Sequence, residues 1–312
     1  MKSYLVTGGC GFIGVNLVSR LAARGDRVRV LDNLSLGRPE DLPAGGAELL
    51  VGAICELADV ERAAEGVDVV VHLAAHTRVV DSVAHPELNF HINAAGTLNV
   101  LRASRAAAAG KFIFASTGGA ILGEQPPPVH EEMVPRPKSP YGASKLAGEA
   151  YCSAYHGAYG LNTVALRFSN VYGAYSYHKG SVVAQFFRNL MHREPVVIYG
   201  DGRQTRDFVH VDDLVDAILL ADRIDTPGEV FQIASGRETS IAELLGMMQA
   251  MLGRQAMNVQ HKPAQAGEIV RNYASIEKAR RLLGYSPKVS LGEGLRRTWD
   301  WFLSRQGQLT AQ

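Results

Sequence analysis

An α/β fold, a doubly wound parallel sheet with a smaller and mostly helical lobe, is predicted for this 312-residue chain by three observations. Short apolar, β-branched runs alternate with helix-period segments through the first half. These runs are continuously apolar, as in Val69-Val70-Val71-His72-Leu73, which is the pattern of parallel strands covered on both faces. The first run passes directly through a cluster of glycines into a helical pattern, the arrangement that opens a dinucleotide-binding sheet.

That opening is Tyr4-Leu5-Val6-Thr7, then Gly8-Gly9-Cys10-Gly11-Phe12-Ile13-Gly14, then an apolar stripe at Leu17, Leu21 and Ala22. Glycines permit positive φ and close approach of the backbone to a diphosphate, whose charge meets the free amides of the helix start. The spacing fits both the 9, 11, 14 and the 8, 11, 14 frame. Val28-Arg29-Val30-Leu31 is the second strand and ends at Asp32, about twenty residues past the glycines, where a carboxylate accepts from the ribose hydroxyls. It would repel a 2′-phosphate, so NAD is favoured over NADP, with Arg38 the one nearby residue that argues the other way.

The third strand in this reading covers Asp68 to Leu73, and its His72 is read as a core or cofactor-side histidine. A long helix follows over 86–108. Lys111 to Ala115 is the next strand and stops at Ser116-Thr117. Between Gly118 and Pro140 the pattern dissolves into a proline-rich loop, and Pro140 is a favoured lead into a helix. That helix runs from Tyr141 to about Tyr159 and is followed by a strand over Leu161 to Arg167. Beyond it come the strand Val196-Val197-Ile198-Tyr199, a helix from Val211 to Asp222 and the strand Val230-Phe231-Gln232-Ile233, then short helices. The expected division is a cofactor domain over 1–170 and 205–236, with a discontinuous lobe over 171–204 and 237–312.

Tyr141 and Lys145 stand four apart on this helix, so they share a face and the ammonium is expected beside the phenol. Lowering a tyrosine pKa from about 10 to about 7 takes roughly 4 kcal/mol of preferential stabilisation of the anion, which a lysine and a cationic cofactor ring supply together. Tyr and Lys at this spacing ordinarily make a solvated face; the dinucleotide signature upstream favours chemistry.

Composition narrows the partners. The net charge of +1 gives no electrostatic case for nucleic acid. Three widely spaced cysteines, Cys10, Cys55 and Cys152, argue against a disulfide framework and fit a reducing cytoplasm. Ten histidines show no metal-ligand spacing, so no metal is expected. No apolar run has the length of a membrane span, and Met1-Lys2-Ser3 leads at once into a strand without an export signal.

These motifs, with Asn93, Gly96-Thr97, Arg167-x-x-Asn170-Val171-Tyr172-Gly173 and Gly200-Asp201-Gly202-x-Gln204-x-Arg206-Asp207-Phe208-Val209, resemble the extended short-chain dehydrogenase/reductases that act on nucleotide sugars. The resemblance runs nearly end to end and is strongest to UDP-hexose 4-epimerases. It implies a Rossmann-type domain. It also implies that Tyr141 takes the proton of the sugar 4-hydroxyl while hydride leaves C4 for NAD, that Thr117 or its neighbour Ser116 relays the proton, and that Lys145 binds the nicotinamide ribose. The 4-keto sugar then turns and takes the hydride back on its other face. The resemblance places Gly8, Gly11, Phe12, Ile13, Gly14, Asp32, Asn33, Ser35, Gly37, Ala53, Ile54, Leu73, Ala74, Ala75, Asn93 and Phe168 at the cofactor. Thr117, Asn170, Val183, Tyr199, Arg206 and Arg271 fall at a UDP-sugar, with Arg206 pairing the diphosphate by its planar fork.

Some positions depart from the family pattern. Ala53 stands where an aspartate commonly meets the adenine amine, and Leu122 replaces a tyrosine on the wall of the site loop. Gln265 occupies the place of a second diphosphate-binding arginine, for which Arg271 is the substitute. Gly118-Gly119 follow Thr117 where sugar 4,6-dehydratases carry an Asp-Glu pair, and no local base serves C5. His178-Lys179 are read as solvated cover for the lobe, with contact to a uronic acid carboxylate as the alternative. A net sugar-nucleotide oxidoreductase and a non-catalytic NAD sensor are the rival functions, and sensors commonly lose the tyrosine or lysine. Relatives dimerise through the helices corresponding to 86–108 and 141–159, so a homodimer is expected.

Overall fold

The apolar runs at the centre of the sheet form strands buried on both faces, because helices cover the sheet from both sides. The computed structural model describes residues 1–252, 258–263 and 269–309. In chain order the elements are β1 (Ser3–Thr7), α1 (Phe12–Ala23), β2 (Arg27–Asp32), β3 (Glu48–Val51), α2 (Leu57–Ala64), β4 (Val69–His72), α3 (Val79–Ala84), α4 (Pro86–Phe90) and α5 (Gly96–Ala106). They continue through β5 (Lys111–Thr117), α6 (Gly118–Leu122), α7 (Pro140–Tyr159), β6 (Thr163–Phe168), α8 (Val182–Met191) and α9 (Val211–Arg223) to the strand Val230–Ile233.

The sheet is parallel in the order Val230–Ile233, β6, β5, β4, β1, β2, β3. The chain therefore winds outward from β1 in one direction and from β4 in the other. Their carboxyl ends flank the switch point, where open α/β sheets bind ligands. Side chains alternate as the pleat demands. Tyr4 and Val6 join the cluster beneath α1 and α9, while Leu5 and Leu31 join the one beneath α2, α5 and α7.

A third apolar cluster gathers Tyr172, Tyr177, Phe186, Phe187, Ile198, Leu244, Met248 and Phe302 from the later segments. Helices dominate it, but strands contribute: Val196–Tyr199 pairs in parallel with Val259–Lys262, and Asn170–Tyr172 with Phe208–His210. Val259–Lys262 carries no apolar signature and is extended only because its partner supplies the ladder. The proline-rich stretch after Thr117 contains the short helix α6, and the expected helix over 86–108 is α4 and α5 joined by a π-helical turn, His91–Ala95, that carries Asn93. Among the described residues no helix is long and apolar enough to cross a membrane.

Helix α7 begins with Ser139 accepting from the Gly142 amide, has Pro140 in its first turn, and stops at Gly160 with φ of +71°. Its buried face, Lys145, Gly148, Glu149, Cys152 and Tyr155, repeats at three and four residues. On it Glu149 receives Arg167 of β6 through two parallel bonds of 2.9 and 2.7 Å, and Ser116 of β5 donates to the same carboxylate at 2.6 Å. Both charged side chains are buried. Removing one partner leaves the other charge unpaired. Glu149→Ala is expected to cost about 3–5 kcal/mol in urea unfolding; a loss below about 1 kcal/mol would show that the pair does not hold α7 to the sheet.

Candidate functional site

The glycine turn seats on β4. Gly8 has φ of +70°, and a Cβ there would meet the Ala74 backbone at 2.8 Å. A Cβ on Gly14 would come within 2.4 Å of the Gly8 carbonyl oxygen. A Cβ on Gly9 would likewise meet Val30 of β2 at 2.6 Å, so the glycines of both frames are needed by the turn. Gly11 caps α1 in an extended conformation with no side chain over the helix end, so the amides that start α1, Phe12 and Ile13, face the crevice for an anion. Asp32 closes β2, and its two oxygens accept the Leu34 amide at 2.9 Å and the Cys10 amide at 3.0 Å. Each oxygen keeps a second acceptor site for a ribose hydroxyl. Gly37 packs against this carboxylate, and Asn33 accepts from the Ser35 hydroxyl at 2.8 Å to shape the following turn. This cradle fits an adenine dinucleotide.

Behind it a closed relay sets the carboxyl end of β4. The Ala74 amide donates to the Thr7 hydroxyl, Thr7 to His72 Nδ1, His72 Nε2 to the Thr97 hydroxyl, and Thr97 to the Asn93 carbonyl. Thr97 spends its proton on Asn93, which fixes the His72 tautomer. Burial drives the imidazole pKa down to about 3, so it stays neutral. His72 is a core residue. Asn93 bridges outward, accepting the His76 amide at 2.8 Å and donating to Ser144 of α7 at 3.1 Å. The turn of Leu73, Ala74 and Ala75 is thereby pinned between the glycine loop and α7.

The expected aspartate at position 53 has a spatial stand-in that sequence order hides. Asp59, on α2, accepts the Ala53 amide at 3.1 Å, which brings a carboxylate to that corner of the cleft. Ile54 beside it is buried against Gly96.

Ser116 and Thr117 point to opposite sides of β5, as neighbours on a strand must. Ser116 is buried and committed to Glu149. Thr117, at the end of β5, lies near enough to the Tyr141 phenol to favour its ionised form. The expectation of Ser116 as an alternative relay is therefore corrected: its hydroxyl serves the ion pair beneath α7. Phe168, level with Thr117 on β6, lines the same end of the sheet.

The Lys145 ammonium donates to the Ala115 carbonyl at 2.8 Å and lies 4.9 Å from the Phe114 ring centroid. Burial, and then repulsion from Lys179, lower its pKa to about 7. Burial pushes the Tyr141 phenol up to about 12, opposed only by the Thr117 hydroxyl. The sequence expectation that Lys145 lowers the phenol is not met by the chain's own groups. Desolvation acts against the charged form of each residue, and neither is a source of the other's shift.

The expected sugar-nucleotide residues divide. Asn170 is half-buried at the start of its short strand, and Tyr199 is exposed at the end of Val196–Tyr199. Arg206 is half-buried and donates to the Thr205 and Ile269 carbonyls at 2.8 Å. Arg271 lies on the neighbouring segment, but both arms of its fork are taken by Glu238 at 2.7 and 2.8 Å, so it is not a ready substitute for the second arginine. Val183 is packed into the lobe's core, which leaves only its backbone for a ligand. Leu122 is likewise buried in the main core and forms no wall of the cleft. Gln265 lies outside the described residues. His178 is exposed as expected, whereas Lys179 turns inward over Phe12, against the solvated reading. Asp207 also has a role the motif does not reveal: fully buried, it accepts from Ser235, Gly236 and Ala274 and knots the lobe to the sheet.

This geometry agrees with comparison to known proteins. The chain is 36% identical to the UDP-glucose 4-epimerase of Mycolicibacterium smegmatis over 96% of its own length and 98% of the relative's. The crystal structure of UDP-glucose 4-epimerase from Thermotoga maritima with UDP-glucose superposes with a TM-score of 0.93, at 39% identity and covering 97% of this chain and 99% of that one. The Thermus thermophilus UDP-glucose 4-epimerase complex with NAD matches with a TM-score of 0.87 at 38% identity, covering 96% and 99%. The model of the NAD-dependent epimerase/dehydratase family matches residues 4–234, and this chain belongs to that family.

Proposed function

We propose that the chain is a NAD-dependent 4-epimerase of a UDP-hexose, with Tyr141 as acid and base. The observation that carries this reading is Thr117 at the Tyr141 phenol, with Lys145 one turn along the same helix and anchored at the Ala115 carbonyl, and Gly118-Gly119 in place of an acid pair. NAD, when bound, supplies a reversible hydride acceptor and a positive charge. Tyr141 accepts the 4-hydroxyl proton as C4 is oxidised and returns it once the 4-keto sugar presents its other face. Thr117 holds the oxygens in line and donates to the phenolate. Lys145, half-titrated near neutrality, tips toward the ammonium whenever a phenolate forms beside it. No acid follows Thr117 until Glu124, which is exposed and paired with Lys138, so the site carries no base for removal of a C5 proton.

Arg206 and Asn170 hold the UDP diphosphate and sugar, with Tyr199 near the uracil. The lobe that carries them is the segment pair 171–204 and 237–312, closing over the sheet. The three cysteines are unpaired, in keeping with a cytoplasmic enzyme. A homodimer is supported by an exposed apolar strip on α3 and α4, where Val80 is 76% and Phe90 64% accessible beside Val83 and Leu88. Phe90→Asp is expected to move the sedimenting species from dimer to monomer mass; a wild-type chain that sediments as a monomer removes the dimer.

The function is tested by incubating the protein with UDP-glucose, UDP-N-acetylglucosamine and UDP-glucuronate and resolving the sugars by proton NMR. A 4-epimer without growth of NADH absorbance is expected, and net NADH formation or three unchanged sugars would overturn the reading. Thr117→Ala is expected to lower kcat roughly 10²–10³-fold with NAD binding retained. Ser116→Ala is expected to keep kcat within about twofold while lowering stability by about 1–3 kcal/mol, because a buried carboxylate loses a donor. The reverse pattern would return the relay to Ser116.

A further inference from the structure

Lys179 belongs to the loop between the short strand Asn170–Tyr172 and α8, and this loop is fastened to the start of α1. Asn16 of α1 donates to the Ala174 carbonyl at 3.0 Å. Ser176 donates to Gly173, the Lys179 amide donates to Ser176, and Arg188 of α8 donates to the Lys179 carbonyl. Tyr175, held at φ of +67°, packs its ring against Trp301 with the centroids 4.8 Å apart and the planes tilted by 51°. Held in this way, the Lys179 ammonium lies 5.9 Å from the ring centroid of Phe12, the first residue of α1.

This ammonium has no carboxylate within ion-pair distance among the described residues. A charge of its own sign is close by: Lys179 repels the Lys145 ammonium and disfavours its charged form. Lys179 is half-buried and without a carboxylate partner among the described residues, and a desolvated cation left unpaired favours an anion beside it. Three anions have access to this cleft, the diphosphate of the dinucleotide, the diphosphate of the UDP-sugar and an acidic group on the sugar. Position favours the first. Phe12 carries the amides that start α1, and the Asn16–Ala174 bond ties the loop to the glycine turn and not to the lobe that holds Arg206 and Tyr199.

We propose that Lys179 clasps the dinucleotide diphosphate against the start of α1 and keeps the cofactor on the protein between the two hydride steps. The clasp rests on NAD as the cofactor but is independent of which sugar is turned over.

Binding of NAD, ADP-ribose and adenosine to wild type, Lys179→Gln and Lys179→Arg by calorimetry tests it, with circular dichroism confirming the fold of each. Lys179→Gln is expected to weaken NAD and ADP-ribose equally, roughly 10–100-fold, as loss of one charge-assisted hydrogen bond predicts. Adenosine, which has no phosphate, is expected to bind all three proteins alike, and Lys179→Arg to recover most of the affinity. Unchanged NAD affinity in Lys179→Gln overturns the clasp. Unchanged NAD affinity with weakened UDP-glucuronate and intact UDP-glucose assigns the lysine to a sugar carboxylate instead. A wild-type protein that binds no NAD overturns the cofactor itself, an outcome distinct from either.

Discussion

Glu149 and Arg167 meet as a bidentate ion pair beneath β5 and β6, both buried, with Ser116 as a third member. Helix α7 is fixed to the sheet at this point, and the reactive groups are positioned from it. One turn toward the amino end, Lys145 reaches the Ala115 carbonyl; one further turn brings Tyr141 to Thr117. Because strand neighbours face opposite ways, the commitment of Ser116 to the ion pair is what turns Thr117 toward the phenol. Structural and reactive hydroxyls are adjacent in sequence and separated by the thickness of a strand.

The same burial sets the electrostatics. Burial pushes the phenol up to about 12, so a phenolate at neutral pH needs further stabilisation by a nearby cation. Lys145 and Lys179 are the cations of this part of the chain, but burial disfavours the charged form of both and neither shifts the phenol. A positively charged nicotinamide ring is the remaining source. Reactivity at Tyr141 would therefore be coupled to cofactor occupancy: a bound cationic ring would favour the phenolate that takes the proton, and loss of that charge would favour the phenol that keeps it.

Much of this was legible in the residues. The continuous apolar runs, the glycine turn, Asp32 and the Tyr141 helix each carry a local physical signature, and each appears where the sequence places it. What was hidden depends on partners distant in sequence. Glu48–Val51 and Val259–Lys262 become strands through a neighbour's ladder. Arg271 looked like a spare diphosphate ligand because nothing in the sequence announces Glu238 at its fork. Val183 and Leu122 looked like cleft residues because a motif position does not say which way a side chain turns. Lys179 looked solvated because the Asn16–Ala174 bond that folds its loop inward joins residues 158 apart.

The central claim is that C4 loses and regains its own hydride within one site. It is tested most directly with UDP-glucose carrying deuterium at C4, incubated with the protein in ordinary water. The account predicts a 4-epimer that retains the deuterium at C4. Deuterium lost to solvent as the epimer forms would mean that C4 is inverted by proton exchange, and would contradict it.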